Sequence, residues 1–230
     1  MKHIGLIGGI SPESTIHYYK IICDEFNKRF GKSNFPDITI RSISLQAIQD
    51  LYDNDQWDEM AEVIIKAINN LAGASVDFVG ITANTPHMAY EQIKKKSPLQ
   101  ILSIMDATGK AIQKDGLKVV GLLGTKKAME HGFFQESLKE YGIDAITPDA
   151  EDREYVNKVV FDELIYGKIS DASREEYKRI IAKLVEKGAQ GIILGCTEIP
   201  MLIKPEDVSV KTYDTTDIHA KAILEHALAD

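Results

Sequence analysis

Cysteine is scarce in this chain: Cys23 and Cys196 are the only two among 230 residues. Two thiols cannot staple a fold, so a disulfide scaffold is excluded and a reducing cytoplasm is the expected location. Long apolar runs are missing as well. No stretch approaches the ~20 apolar residues of a membrane span, and Met1-Lys2-His3-Ile4-Gly5 lacks the apolar run of a signal peptide. Positive charge is in deficit, with 27 Lys and Arg against 35 Asp and Glu and a formal net charge of −8. Such a surface repels phosphate backbones and anionic lipid, so nucleic acid and membranes are not expected partners. The histidines (His3, His17, His87, His131, His219 and His226) show no metal-ligand spacing. Neither a Gly-x-Gly-x-x-Gly fingerprint nor a Gly-Lys-Ser/Thr phosphate loop occurs. Gly5-Leu6-Ile7-Gly8-Gly9 is explained equally well by a tight turn where backbone approaches a ligand. No low-complexity linker interrupts the chain.

What is present is ordinary globular composition, 44% hydrophobic and 27% charged, enough for one or two domains with a core that needs no staple. Short apolar runs predict strands near 2–8, 37–44, 77–83, 100–105, 118–124, 143–147, 191–196 and 208–213. Many are apolar almost throughout, as in Gly191-Ile192-Ile193-Leu194-Gly195. Strands buried on both faces look like this, so parallel sheets flanked by helices are expected. Amphipathic stretches predict helices near 12–30, 56–73, 87–96, 106–115, 127–141, 150–166, 173–187 and 216–228. Ser11-Pro12-Glu13 supplies a helix start, and Gly116, Gly142 and Gly188 fall where helices should stop. Asp50, Asp53, Asp55, Asp58 and Glu59 read as a solvated loop and helix start. The alternation of strand and helix defines an α/β fold.

The two halves echo one another. His3-Ile4-Gly5-Leu6-Ile7-Gly8-Gly9 matches Val119-Val120-Gly121-Leu122-Leu123-Gly124-Thr125. Phe78 to Thr85 matches Gly191 to Thr197 and beyond. Asp106 to Ile112 matches Ile218 to Ile223. The offsets are 116, 113 and 111 residues, in the same order along the chain. Three matches in register indicate a duplicated α/β unit. The expected division is 1–105 plus 211–230 for the first domain and 106–210 for the second, each with a four-stranded, parallel-rich sheet.

Ligands of open α/β sheets bind at the carboxyl ends of strands. Three strand ends carry chemistry: Gly8-Gly9-Ile10-Ser11, Ala83-Asn84-Thr85 and Cys196-Thr197-Glu198. The echo makes the last two equivalent. Asn84, Thr85 and Thr197 offer donors suited to a carboxylate. Cys196 sits at a turn where backbone N–H groups can depress a thiol pKa, and the competing reading is a small buried hydrophobe. Cys23 lies on an amphipathic helix and reads as core. His87 reads as a loop cap or orienting group.

At these residues the chain resembles the aspartate/glutamate racemases, nearly end to end. The resemblance rests on Gly8-Gly9-Ile10-Ser11-Pro12-Glu13-Ser14-Thr15, Asn84-Thr85-Pro86-His87, Gly121-Leu122-Leu123-Gly124-Thr125 and Gly195-Cys196-Thr197-Glu198. The first of these and Phe161-x-Glu163-Leu164 look most like the bacterial branch acting on both aspartate and glutamate. The resemblance implies two similar α/β domains with the active site in the cleft between them. It implies no metal, pyridoxal phosphate or nucleotide cofactor, and a small acidic amino acid as partner. A homodimer is also expected. It further implies two-base proton transfer, with one group on each face of the α-carbon. By that analogy Cys196 handles the L enantiomer and position 83 the D enantiomer. Asn84, Thr85 and Thr197 hold the α-carboxylate, with Glu198 beside them, and Ile10 and Ser11 line the site. Gln46 and Lys168 are the candidates for reading the distal carboxylate. Chemically, an α-proton beside a carboxylate is so weakly acidic that a cofactor-free site must stabilise the carbanion with fixed donors.

The departure from the pattern falls at Ala83, where typical members carry Cys and the broad-specificity branch Thr. Alanine moves no proton. The preferred reading is a substrate-binding form inactivated by a change from Cys or Thr. Two others stay open. Thr82 could substitute, although neighbouring strand residues face opposite sides. Or the chain is a one-base relative resembling the arylmalonate decarboxylases, which keep only the second cysteine. A non-catalytic acidic amino-acid binding protein is the alternative outside enzymology.

Overall fold

The computed structural model describes residues 1–229. Two compact units emerge. The first contains β1 (Ile4–Gly8), α1 (Pro12–Phe30), β2 (Ile38–Ser42), α2 (Leu45–Asp53), α3 (Trp57–Gly73), β3 (Phe78–Ile81), α4 (Tyr90–Lys96) and β4 (Gln100–Leu102). Its strands are all parallel, in the order β2-β1-β3-β4. Strands β1 and β3 are buried throughout, as their unbroken apolar sequences require. One face of the sheet packs Ile4, Leu6 and Phe78 against Tyr18, Ile22 and Phe26 of α1. The other packs Ile7, Val79 and Ile81 against Ile64, Ile68 and Leu71 of α3. Helix α1 forms where its sequence signals it: Ser11 accepts from Ser14 N–H, Pro12 opens the first turn, and Lys28 and Arg29 sit in the last.

The second unit contains α5 (Ile104–Lys114), β5 (Val119–Leu123), α6 (Lys126–Glu130), α7 (Phe133–Lys139), β6 (Asp144–Ile146), α8 (Ala150–Asp162), α9 (Asp171–Glu186), β7 (Gly191–Leu194), α10 (Ile199–Leu202) and β8 (Lys211–Asp214). Its strand order is β6-β5-β7-β8, again all parallel, so the two sheets have the same topology. The duplication seen in the sequence is thus a duplication of architecture. Helices α8 and α9 cover one face through Val156, Val160, Tyr177, Ile181 and Leu184. Asp152 on α8 is buried and joins the helices by ion pairs to Arg179 and to Lys183, the latter 2.9 Å away.

Three expectations are corrected. Residues 45–53 lie outside the expected helices and include Asp50 and Asp53 of the acidic stretch read as a solvated loop and helix start; they form helix α2. Ser44 caps it, and Ile48 and Tyr52, four residues apart, bury its apolar side. The single helix expected over 127–141 breaks into α6 and α7 at Gly132, whose φ of +90° no continuing helix can hold. The domain division moves from 211 to 215/216, because β8 hydrogen-bonds to β7 in the second sheet.

The last helix, α11 (Thr215–Leu228), returns to the first unit, where Ala220, Ile223, Leu224 and Ala227 complete the core beneath α1. Helix α5 belongs with the second unit except for its first residue, where Tyr141 lies against Gly109. Each sheet's fourth strand therefore hands its following helix to the other unit.

Candidate active site

In the first unit β1 and β3 are neighbours, with Ile7 opposite Ile81, so their carboxyl ends emerge side by side. The turn after β1 depends on glycine. Gly9 has φ of +87°, and a Cβ there would lie 2.1 Å from the Ile43 carbonyl oxygen. A hydroxyl lattice ties the two strand ends together. Thr15 Oγ1 accepts from Gly9 N–H (2.9 Å) and donates to the Ser11 carbonyl (3.1 Å). Ser14 Oγ donates to the Thr82 carbonyl at 2.7 Å. Ile10 is buried and Ser11 half-buried at this edge.

Ala83 and Asn84 are the second and third residues past β3, both buried, and Thr85 opens a short 3-10 turn through Ala89. Thr82 is fully buried and donates its hydroxyl to the Ile7 carbonyl at 3.1 Å. It faces α1, with its oxygen 3.3 Å from Thr15 Oγ1. That side chain is committed to the packing behind the strand and does not take the place of position 83.

His87 lies 3.0 Å from the Ala83 carbonyl through Nδ1. A carbonyl only accepts, so Nδ1 carries the proton and Nε2 is bare; Nε2 is buried without a hydrogen-bond partner. Burial lowers the His87 pKa to about 4, against the opposing pull of the Ala83 and Asn84 carbonyls. The neutral ring stacks on Tyr90 and fixes the turn that carries 83 and 84. Behind it His219 of α11 reaches the Leu102 carbonyl through Nε2 (2.9 Å) and the Tyr18 hydroxyl through Nδ1 (2.8 Å). Burial, and then the neighbouring His87, lower its pKa to about 3.

In the second unit Cys196 stands two residues past the end of β7, the position Ala83 holds past β3. It is half-buried; its sulfur donates to Glu198 Oε2 at 2.9 Å, and Thr197 Oγ1 donates to the same oxygen at 2.9 Å. Glu198 itself is only 6% exposed. The thiol pKa moves well above its usual value, first through burial and then through the charge and hydrogen bond of Glu198. The backbone N–H groups of Glu198 and Thr197 oppose the rise without reversing it. The depressed pKa expected for this turn is therefore corrected: burial of the thiol, reinforced by the Glu198 carboxylate, outweighs the two amides, and Cys196 rests as S–H. Glu198, read from sequence as a substrate contact, is here the thiol's acceptor. The sequence signal was its place two residues after the cysteine.

The two candidates for a distal carboxylate are both exposed. Gln46 lies in the first turn of α2 and donates to Asp50 Oδ1 one turn on, at 2.7 Å. Lys168 follows the 3-10 turn Leu164–Tyr166 and lies over the Tyr166 ring, 5.6 Å from its centre. Cys23 is buried on α1 as core. Among the described residues, no group of three or more His, Cys, Asp or Glu could hold a metal ion. None of the helices described is long and apolar enough to cross a membrane.

Removing the Glu198 charge should release the thiol. In Glu198→Gln the Cys196 pKa is expected to fall, so iodoacetamide should alkylate it faster at neutral pH than in the parent chain. An unchanged pH profile of alkylation would show that Glu198 does not govern the sulfur.

Two like-ordered parallel sheets, with Ala83 and Cys196 at matching strand ends, define a duplicated α/β architecture of the racemase class. The chain belongs to the Asp/Glu/Hydantoin racemase family, whose model matches residues 7–223. It is similar to a Yersinia pestis structure assigned to the Asp/Glu racemases, with 40% identity, full coverage of both chains and a TM-score of 0.94. It is also similar to an aspartate racemase homologue from Pyrococcus horikoshii, with 35% identity, full coverage of both chains and a TM-score of 0.88. The Bacillus subtilis broad specificity amino-acid racemase RacX is 25% identical over 233 residues, 98% of each chain.

Proposed function

We infer that this chain is a cofactor-independent racemase scaffold for aspartate and glutamate in which one of two proton-transfer groups, at position 83, is replaced by alanine. The observation that carries the reading is the equivalence of Ala83 and Cys196, each two residues past the third strand of sheets with the same order. Family membership and the names of the relatives support the substrate class.

In the proposed reaction the α-carboxylate is held by the amide of Asn84, the hydroxyl of Thr85 and donors at Thr197. A base removes the α-proton from one face, the C–H electron pair passes into the carboxylate as an enolate-like carbanion, and an acid returns a proton to the other face. Cys196, resting as S–H beside Glu198, is poised as the acid. After donation it is a thiolate, the form that takes an α-proton in the reverse direction. Ala83 offers nothing to complete the pair. Gln46 and Lys168 are the proposed contacts for the distal carboxylate, and Ile10 and Ser11 line the site.

Proton NMR in D₂O tests this reading. The chain as it stands should exchange the α-proton of at most one enantiomer of aspartate or glutamate, slowly and without inversion. Exchange of both enantiomers with inversion would require a second base and overturn the assignment.

A second reading is favoured by the same Cys196–Glu198 contact combined with Ala83: a one-acid enzyme that only protonates a carbanion. Loss of CO₂ from a 2-substituted malonate would supply that carbanion with no base at position 83. Release of CO₂ from such a malonate, abolished in Cys196→Ala, would establish it.

A further inference from the structure

Among the described residues only two carboxylates are buried, Asp152 and Glu198, and both belong to the second unit. The fold treats them differently. Asp152 is paired with two cations, Arg179 and Lys183. Glu198 has as partners the Cys196 thiol and the Thr197 hydroxyl, each 2.9 Å away. Among the described residues no Lys, Arg or His forms an ion pair with it. A carboxylate taken out of water without a counter-charge is costly, and a thiol and a hydroxyl supply dipoles, not charge.

The basic side chains around α10, the short helix that Glu198 precedes, are committed elsewhere. Lys204 Nζ donates to the Pro200 carbonyl at 2.6 Å, and Arg174 Nε to the Leu202 carbonyl at 3.1 Å. Nor does the carboxylate cap α10, since its side chain makes no bond to the helix N–H groups. Both of its donors reach the same oxygen, Oε2, so Oε1 is bonded to no described residue. Oε1 is also not one of the unpartnered polar atoms sealed in the interior, so a ligand can reach it.

The other titratable groups packed about the sulfur bring no positive charge. Tyr177 of α9 is neutral, because burial first of all, and then the charges of Cys196, Tyr155 and Glu163, push its hydroxyl well above the usual pKa. That hydroxyl donates to the Val156 carbonyl at 3.0 Å. Glu163, just past α8, accepts from the Ser173 hydroxyl at 2.8 Å. The missing counter-charge of Glu198 must therefore come with a ligand. A cation on Oε1 also changes the sulfur: it cancels the opposition of the carboxylate and leaves in place the two backbone N–H groups that favour a thiolate.

We propose that Glu198 receives the α-ammonium group of the substrate on Oε1, and that this ion pair selects amino acids over the corresponding hydroxy acids and lets the Cys196 thiol ionise when an amino acid is bound. The inference rests on the proposed function, because it takes the ligand to be an α-amino dicarboxylate. It gives a partner to the one charged group of that ligand that Asn84, Thr85 and Thr197, as holders of a carboxylate, do not serve. The thiol proton passes to solvent as the ammonium docks, and no bond to carbon is made or broken in this step.

Binding calorimetry and thiol titration on the full chain test it. The ligands are aspartate and glutamate, set against malate and 2-hydroxyglutarate, in which a hydroxyl replaces the ammonium; both enantiomers of each are used. The parent should bind the amino acids at least about tenfold more tightly than the hydroxy acids. Glu198→Gln keeps the shape of the side chain and an acceptor oxygen. It should weaken the amino acids at least about tenfold and leave the hydroxy acids bound as tightly as before or more so, which also shows that the site still folds. The ultraviolet absorbance of the Cys196 thiolate, taken as the difference from Cys196→Ala, should appear at lower pH with saturating aspartate than with saturating malate, and Glu198→Gln should narrow that gap. Amino-acid binding that is indifferent to Glu198→Gln, a loss shared equally by the hydroxy acids, or a thiolate that appears at the same pH with both ligands would each overturn this inference and leave the proposed function standing. A parent that binds neither aspartate nor glutamate would overturn both.

Discussion

Ala83→Cys should turn the chain into a racemase whose turnover exceeds that of the parent by about 10²–10⁴-fold, the usual contribution of one general acid or base. Ala83→Thr should do the same to a smaller extent, since a hydroxyl is a far weaker acid than a thiol. The expectation rests on the position being otherwise intact. The turn is held by His87 on the Ala83 carbonyl and by Ser14 on the Thr82 carbonyl. A side chain at 83 leaves from a buried position, 6% exposed, at the strand end. Circular dichroism of L- and D-aspartate and glutamate measures the gain directly. If it appears, Cys196→Ala in the restored chain should abolish it, while Thr82→Val should not, because Thr82 is bonded to Ile7. Binding of the amino acids with no turnover in either restored variant would instead identify a binding protein. CO₂ release would identify the one-acid enzyme.

Acid should unfold the first unit before the second. His87 and His219 have pKa values of about 4 and about 3 in the folded chain, against ~6.5 when unfolded. Below pH ~6.5 the unfolded state therefore binds protons that the folded state refuses, and stability falls as pH falls. The slope is on the order of 1.4 kcal/mol per pH unit for each histidine until its folded pKa is reached. Both residues lie in the first unit. In the second, burial pushes the Asp152 carboxyl up, but Arg179 and Lys183 together hold it below its usual value. Its contribution is present above the ordinary carboxylate pKa and is lost only in more acidic solution. The single tryptophan, Trp57, lies in the first unit and reports on it alone. Urea unfolding followed by Trp57 fluorescence should show a midpoint that drops steeply between pH 7 and pH 5. His219→Asn should start less stable and show a shallower drop. An unchanged midpoint across that range would contradict the burial of neutral histidines.

The strands were legible because a parallel strand covered on both faces has little choice but to be apolar. Phe78 to Ile81 and Gly191 to Leu194 show this in their sequences. Helix α2 was not, because its core contribution is carried by Ile48 and Tyr52 alone, among the acidic residues that suggested a solvated loop. The break at Gly132 lay inside a pattern that stays helical on both sides. Which sheet would take β8 depended on pairing with β7, information that no local stretch contains. At the candidate site the backbone positions of Ala83 and Cys196 could be read from the repeat. The state of the sulfur could not, because it depends on how deeply the thiol is buried and on where one carboxylate turns its oxygen. His219 offered no signal beyond an isolated histidine in an apolar helix, although its place beside Tyr18 and the Leu102 carbonyl is set by residues far away in sequence.

The return of α11 to the first unit reverses the order in which the two units can close during synthesis. Residues 105–215 are contiguous and carry all the elements of the second unit. The first unit, although translated earlier, waits for Ala220, Ile223, Leu224 and Ala227 to fill the core against Ile4, Leu6 and Phe78. At ~5–20 residues per second, the part of the chain beyond residue 104 takes on the order of 6–25 s to make. Throughout that interval the face beside α1 is only partly covered in the nascent amino-terminal half, an apolar surface for holdase chaperones that exists on the ribosome and disappears when α11 arrives.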